Sequence, residues 1–287
     1  MLCYFQGYHD IVQVLLLVLG AKTTPAAVAR LSLLRIRDFM LPTMTGALSH
    51  LQLLPSILKA ADVELFEHLS QTAPFYFALP ATLTLYAHEI QEYGDIARLF
   101  DYLLTNEAAA SIYLYATIII SRKEELLTLE PDEHDMLHCI LSKLPKPLDL
   151  DSLISRSAAL HAAHPPNKLS SYPWWYGISP NSVLKTTRDP HALAQQTLQD
   201  GEVYFQRHAA EIATQEARQK QLERARVLAK RYRRPAMVAG TAVLAALLAF
   251  YLRKAGGGAA VASLAGLWHA GLVLQSRAFG FMERVLR

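Results

Sequence analysis

Residues 113–120 read YLYATIII, and how that octapeptide is read decides the fold. By composition it is a strand, because tyrosine, threonine and isoleucine all favour a pleated, half-buried surface. Its setting argues otherwise. It sits in a long unbroken window between Ser111-Ile112 and the polar run Ser121-Arg122-Lys123-Glu124-Glu125. A short apolar run inside such a window is a helix buried on all sides, and SRKEE is its polar end.

Working outward, the pattern from Ile11 to about Pro165 is helical. Apolar residues recur at intervals of three and four, as in Leu48, Leu51, Leu54, Ile57 and Leu58, or Ile96, Leu99, Phe100, Leu103 and Leu104. Alternating strand-like runs are missing. Stops are expected at Pro25, Pro42, Pro55, Pro74, Pro80, Pro131 and the Pro145/Pro147 pair. About seven or eight helices with short connections follow, and with them an all-α domain over residues 1–165. A chain of 287 residues with 52% hydrophobic and only 18% charged side chains can bury a sizeable core. Its net charge of +3 is too small to argue for a nucleic-acid partner. Cys3 and Cys139, far apart in sequence, form no disulfide framework, which favours a reducing, cytosol-facing location. The N-terminus lacks the charged start, apolar core and small-residue cleavage site of a secretory signal.

Beyond the helical domain the composition changes. Residues 166–190 are rich in proline, serine and asparagine and read as a Pro-rich linker. The cluster Trp174-Trp175-Tyr176 inside it either packs back on the helical domain or meets a membrane surface or a partner. Residues 191–234 return to a charged juxtamembrane helix, with eight basic residues and one acid between Arg218 and Arg234. They abut PAMVAGTAVLAALLAFYL (235–252), which carries no charge, followed by Arg253-Lys254 and a second uncharged stretch running to Gln275. Residues 235–287 are therefore expected to form a membrane anchor, as a single span of Ala236–Leu252 or a hairpin turning at Gly256–Gly258. The larger basic block precedes the first stretch, which puts the helical domain in the cytosol. Those basic residues would also hold it near anionic headgroups, at roughly 1 kcal/mol each.

Enzyme signatures are sparse. There is no glycine-rich phosphate loop and no Gly-x-Ser-x-Gly. His134 and His138 have the spacing of metal ligands on a helix, but no third ligand accompanies them, and Asp132, Glu133 and Asp135 mark a solvated helix start. No metal site is expected.

Residues 4–11, YFQGYHDI, lead straight into an apolar helix and carry Tyr-x-Gln-Gly followed by His-Asp. Together with LRIRDFMLPTM (34–44), FYFALPATLTLYAHEI (75–90), IARLFDYLL (96–104) and LISRSAALHAAHPP (153–166), in that order, this resembles the TBC domains that activate GTP hydrolysis by Rab GTPases. The C-terminal anchor narrows the resemblance to the membrane-anchored branch acting on Rabs of the early secretory pathway, at the endoplasmic reticulum or early Golgi. The resemblance implies a glutamine finger and an arginine finger supplied in trans to the GTPase. By motif position Gln6 is the glutamine finger. Gly7 lets backbone approach there, Tyr4 packs to hold it, and Asp10 positions the turn or caps the following helix. Arg98 and Asp101 match the family's Arg-x-x-Asp, a Rab-binding or structural pair. No cofactor of its own is implied, since the partner GTPase binds GTP and Mg²⁺. The expected partners are a Rab and a lipid bilayer. The family's arginine finger lies in an Ile-x-x-Asp-x-x-Arg motif some tens of residues before Tyr-x-Gln-Gly. Nothing after Gln6, including Arg30, Arg35 and Arg37, inherits that role by motif. The expectation is an N-terminally truncated domain with exposed apolar surface and weak activity at best, the alternative being an inactive, membrane-anchored interaction protein.

Overall fold

YLYATIII is helical in the computed structural model, inside a helix Ala110–Ser121 whose residues from Ala110 to Ile119 are all buried. A helix apolar on every side has no solvent face, so it must be the centre around which others pack. The structure describes residues 1–70, 75–130, 133–169 and 172–254. Among them the helices are α1 (Tyr8–Leu34), α2 (Thr45–Leu51), α3 (Leu53–Ala61), α4 (Val63–Ser70), α5 (Leu79–Leu83), α6 (Tyr93–Thr105) and α7 (Ala110–Ser121). There follow α8 (Lys123–Leu127), α9 (His134–Leu141), α10 (Leu150–Ala163), α11 (Tyr172–Gly177), α12 (Val183–Thr186), α13 (Pro190–Gln195) and α14 (Leu198–Lys254). No strand occurs among the described residues, as the sequence led one to expect. Met1–Gln215 form one compact unit, and α14 from Glu216 onward belongs to a second.

Helix α7 packs chiefly against α10 and α3. Its tyrosines tie the surrounding loops to it by their hydroxyls. Tyr113 donates to the His164 carbonyl at 2.5 Å, Tyr115 donates to the Leu141 carbonyl, and Tyr86 reaches in to donate to Ser111 at 2.6 Å. Burial raises all three phenols above their ordinary range and keeps them neutral donors.

The helices are more numerous and shorter than the prolines suggested, ten among the described residues up to 163. The chain breaks at Gln52, Asp62 and Arg122, where no proline stands. Pro55 is the third residue of α3, a first-turn position where its missing N–H costs nothing. Pro25 lies inside α1, whose real interruption is Gly20, at φ 73° and ψ 166°. Only glycine holds that backbone without strain. By length and composition alone α1 is the one described helix apolar enough to cross a membrane. Yet Ile11, Val14, Leu15, Leu31 and Leu34 lie in the core, while Leu16–Leu19 are exposed.

Residues 166–190 do not form an open tether. Trp175, Ile178, Val183 and Leu184 are buried, and Lys185 Nζ stands 4.4 Å over the Trp175 ring. The packed-back alternative for the aromatic cluster therefore holds at Trp175. What fixes the segment is Asp38, wholly buried in the 3₁₀ turn Arg37–Met40. Its carboxylate accepts from Ser182 Oγ at 2.5 Å, from the Val183 N–H at 3.1 Å and from His50 Nε2 at 3.0 Å, with His208 Nδ1 of α14 at 3.4 Å. Arg37, equally buried, donates to the Asn181 carbonyl, the Leu33 carbonyl and Thr186 Oγ1, and its guanidinium lies 5.0 Å from the Tyr204 ring centre. Beside this knot Phe205 and Ile212 of α14 pack on Leu41. Gly201 lets the helix approach so closely that a Cβ there would come within 2.9 Å of Leu33.

Of the expected membrane anchor, 235–254 lie in α14, and Gly240–Tyr251 is a shorter apolar portion of it. Residues 255–287 lie outside the described residues.

Burial alone would raise the Asp38 carboxyl, but the two histidines that face it outweigh burial and hold it well below the usual range. A folded-state pKa below the unfolded one means stability that is present above about pH 3.9 and lost as pH falls below it. Asp38→Ala is expected to destabilise the chain by about 3–5 kcal/mol, as for other buried charge partners removed singly. Urea unfolding at pH 7 measures this. As pH falls from about 5 the wild type's advantage over Asp38→Asn should shrink progressively, with much of it still present at pH 3 because the folded-state carboxyl titrates well below that; a constant gap between the two would show that the carboxylate charge is not what matters.

Candidate functional site

Gln6 projects from a short loop between two buried neighbours. On one side Phe5 packs edge-on against Tyr8 and Phe39, with ring centres 5.5 and 6.2 Å apart, and the preceding Cys3 N–H donates to the Met40 carbonyl. On the other side Gly7 stands at φ 92°, where it precedes the first turn of α1 without any side-chain cap. The Gln6 side chain itself is exposed, and its amide has no hydrogen-bond partner among the described residues. A primary amide so placed can accept from water with its oxygen and donate from its nitrogen at once.

The floor of the loop is a turn at residues 84–88. Leu85 and Tyr86 occupy left-handed backbone at φ 51° and 65°. For residues with a Cβ this costs roughly 1–2 kcal/mol each. The core supplies it through Tyr86, fully buried, whose N–H donates to the Ala81 carbonyl at 2.7 Å while its hydroxyl is held by Ser111. Thr84, which donates to the Pro80 carbonyl, aims its methyl at Gly7. A Cβ added at Gly7 would lie 2.5 Å from that methyl carbon.

Asp10, in the first turn of α1, caps nothing. Its carboxylate instead lies 3.0 Å from His88 Nδ1 and 3.2 Å from His9 Nε2. Tyr4 meets the Tyr8 ring edge-on at 6.3 Å, but its own ring is two-thirds exposed, and its hydroxyl is 3.0 Å from His9 Nδ1. The buried part of the packing comes from Phe5 and from partly buried Tyr8, the latter bonded to Ser32 Oγ at 2.7 Å.

The other matched positions do not gather here. Arg98 and Asp101 lie on α6; Arg98 pairs with Asp151 of α10 at 3.3 Å with both side chains exposed, and Asp101 is exposed. Neither makes a polar contact with the Gln6 loop among the described residues. Arg35 donates to the Leu103 and Asn106 carbonyls, and burial pulls it down to about 10 against the opposing effect of Glu107. Arg37 is spent in the Asp38 knot, and Arg30 donates to the Gln196 carbonyl at 3.3 Å. The arginines nearest in sequence are thus committed elsewhere. His88, Thr84 and the left-handed turn are not legible in LTLYAHE, which contains neither glycine nor asparagine to flag positive φ. No group of three potential metal ligands occurs among the described residues.

Residues 1–127 match the Rab-GTPase-TBC domain model. Over 193 residues, 66% of this chain, the sequence is 37% identical to the GTPase-activating protein gyp10 of Schizosaccharomyces pombe, of which this covers 51%. It is 34% identical over 168 residues, 58% of the chain, to human TBC1 domain family member 20, of which 41% is covered, and 35% identical over the same length to the Bos taurus protein of that name. The chain spans about half the length of the curated relatives it matches, or less.

Gly7→Ala should destabilise the full chain by about 1–3 kcal/mol, from left-handed strain plus the collision with Thr84. Adding Thr84→Ser removes the methyl and should recover the collision but not the strain. Thermal unfolding of the single and double variants measures both; no recovery would mean that strain alone accounts for the loss.

Proposed function

From the match of residues 1–127 to the Rab-GTPase-TBC domain and the likeness to gyp10, we propose that the chain is a GTPase activator for a Rab of the early secretory pathway, with Gln6 as the glutamine finger. The observation that carries the reading is the presentation of Gln6: an unpartnered amide in solvent, clamped by buried Phe5 and strained-side Gly7.

A GTPase hydrolyses GTP slowly because the attacking water is poorly oriented and the charge developing on the phosphoryl oxygens is poorly compensated. A glutamine held on a stiff loop addresses the first deficiency. Its oxygen accepts from the water while its nitrogen donates to a phosphate or carbonyl oxygen, and its fixed backbone lowers the entropy lost in reaching that geometry. The second deficiency calls for an arginine, worth roughly 10³–10⁵ in rate, and Arg30, Arg35 and Arg37 are spent on carbonyls. That commitment favours one second reading, a membrane-anchored helical protein that binds a Rab without activating it. On both readings the basic helix and apolar run of residues 216–254 tether the protein to an endoplasmic reticulum or early Golgi membrane, with the helical unit in the cytosol.

Single-turnover hydrolysis by GTP-loaded Rabs of the early secretory pathway tests the activity. With the full chain present, Gln6→Ala should cut stimulation about 10²-fold or more, the cost of one lost transition-state hydrogen-bonding group. Stimulation unaffected by Gln6→Ala sinks the finger assignment, and Rab binding without any stimulation selects the second reading. For the tether, carbonate extraction should leave the full chain in the membrane pellet and release a chain ending at residue 234. If both stay in the pellet, α1 rather than the C-terminal run holds the bilayer.

A further inference from the structure

The structure points to one residue outside the family motif as part of the same device: we infer that His88 is a positioning residue for Gln6, acting through Asp10 and the left-handed turn beneath the loop. The inference rests on the reading of Gln6 as the finger.

Two contacts join the Gln6 loop to residues 84–88, far away in sequence. Thr84 meets Gly7 by van der Waals contact, with no room for a Cβ. His88 Nδ1 lies 3.0 Å from Asp10 Oδ2. Between them Leu85 and Tyr86 hold a backbone that neither side chain favours, locked from the core side by the Tyr86 hydroxyl. The polar contacts continue beyond Asp10. Its Oδ1 meets His9 Nε2 at 3.2 Å, and His9 Nδ1 meets the Tyr4 hydroxyl at 3.0 Å. A His9 ring protonated on Nε2 alone donates to Asp10 and accepts from Tyr4, so the four side chains form one directed chain around the base of the finger. His88 is the only member of that chain anchored outside residues 4–10, on the strained turn.

The placement of His88 separates positioning from stability. It and its contact with Asp10 are largely exposed, with the imidazole two-thirds accessible. Exposed pairs of this kind contribute little to global stability. A displacement of the reacting geometry by about 1 Å, by contrast, can cost up to about 10²-fold in rate. Truncating His88 therefore leaves the fold intact and frees the loop.

The test uses the full chain and three variants: His88→Ala, His88→Asn and Gln6→Ala. The asparagine amide nitrogen sits where Nδ1 does and keeps the donor. Hydrogen exchange of the amides of residues 5–10 is expected to quicken about ten-fold in His88→Ala, to return to the wild-type rate in His88→Asn, and to stay unchanged in Gln6→Ala, with the unfolding midpoint the same throughout. In the hydrolysis that the chain stimulates in the Rab, His88→Ala should lower kcat about ten-fold at unchanged KM for the GTP-loaded Rab, with His88→Asn restoring it. Exchange over residues 5–10 that ignores His88→Ala overturns the inference, whatever the hydrolysis rates. So does a kcat lost in Gln6→Ala but kept in His88→Ala, which leaves the finger assignment standing. Loosened exchange in His88→Ala together with hydrolysis indifferent to Gln6→Ala upholds the clamp and removes the finger instead.

Discussion

The turn on which the Gln6 loop leans hangs on a carboxylate that water never touches. Asp38 gathers a hydroxyl, a backbone N–H and two imidazoles from three separate parts of the chain. Its neighbour Arg37 collects two carbonyls and a hydroxyl. Neither charge is tolerable in a core unless its hydrogen-bonding capacity is filled, so the partners must arrive together or not at all. That requirement makes the knot a device for specifying arrangement more than for adding stability. It brings residues 181–186 and the start of α14 onto the turn that ends α1, and the loop bearing Gln6 leans on the same turn through Phe5 and Phe39.

Most of the helical class was readable because burial on all sides leaves its mark in composition. YLYATIII could not be a half-exposed strand, and the structure makes it the central helix α7. Helix boundaries were less readable. Prolines announce themselves, but Pro55 proved to be a helix start, and the chain broke at Gln52, Asp62 and Arg122 for reasons of packing that no local residue signals. The region 166–190 misled for a related reason. Its prolines and serines have the composition of a tether, whereas Ser182 is a hydroxyl that the buried Asp38 carboxylate requires, and the segment also lends Arg37 the Asn181 backbone carbonyl.

The candidate site divides the same way. Gln6 and Gly7 were found by motif, and the structure supplies the geometric sense of each: one side chain outward, one absent. Asp10 meets two imidazoles, and Tyr4 touches the Tyr8 ring from an exposed position while Phe5 supplies the buried packing. His88 and the Leu85–Tyr86 turn escaped notice because their importance is purely spatial. A left-handed conformation in residues bearing a Cβ arises from what surrounds them, and sequence order carries little trace of it.

The exposure of Gln6 has a consequence for how such a protein can change over generations. Its neighbours in the loop are locked into the core, but the glutamine side chain touches nothing that the fold needs. On the proposed reading of Gln6 as the finger, a single codon change there would erase chemistry without costing foldedness, abundance or the surface offered to a partner. An activator of that kind would pass to a silent binder in one step, and selection on the fold would not resist it.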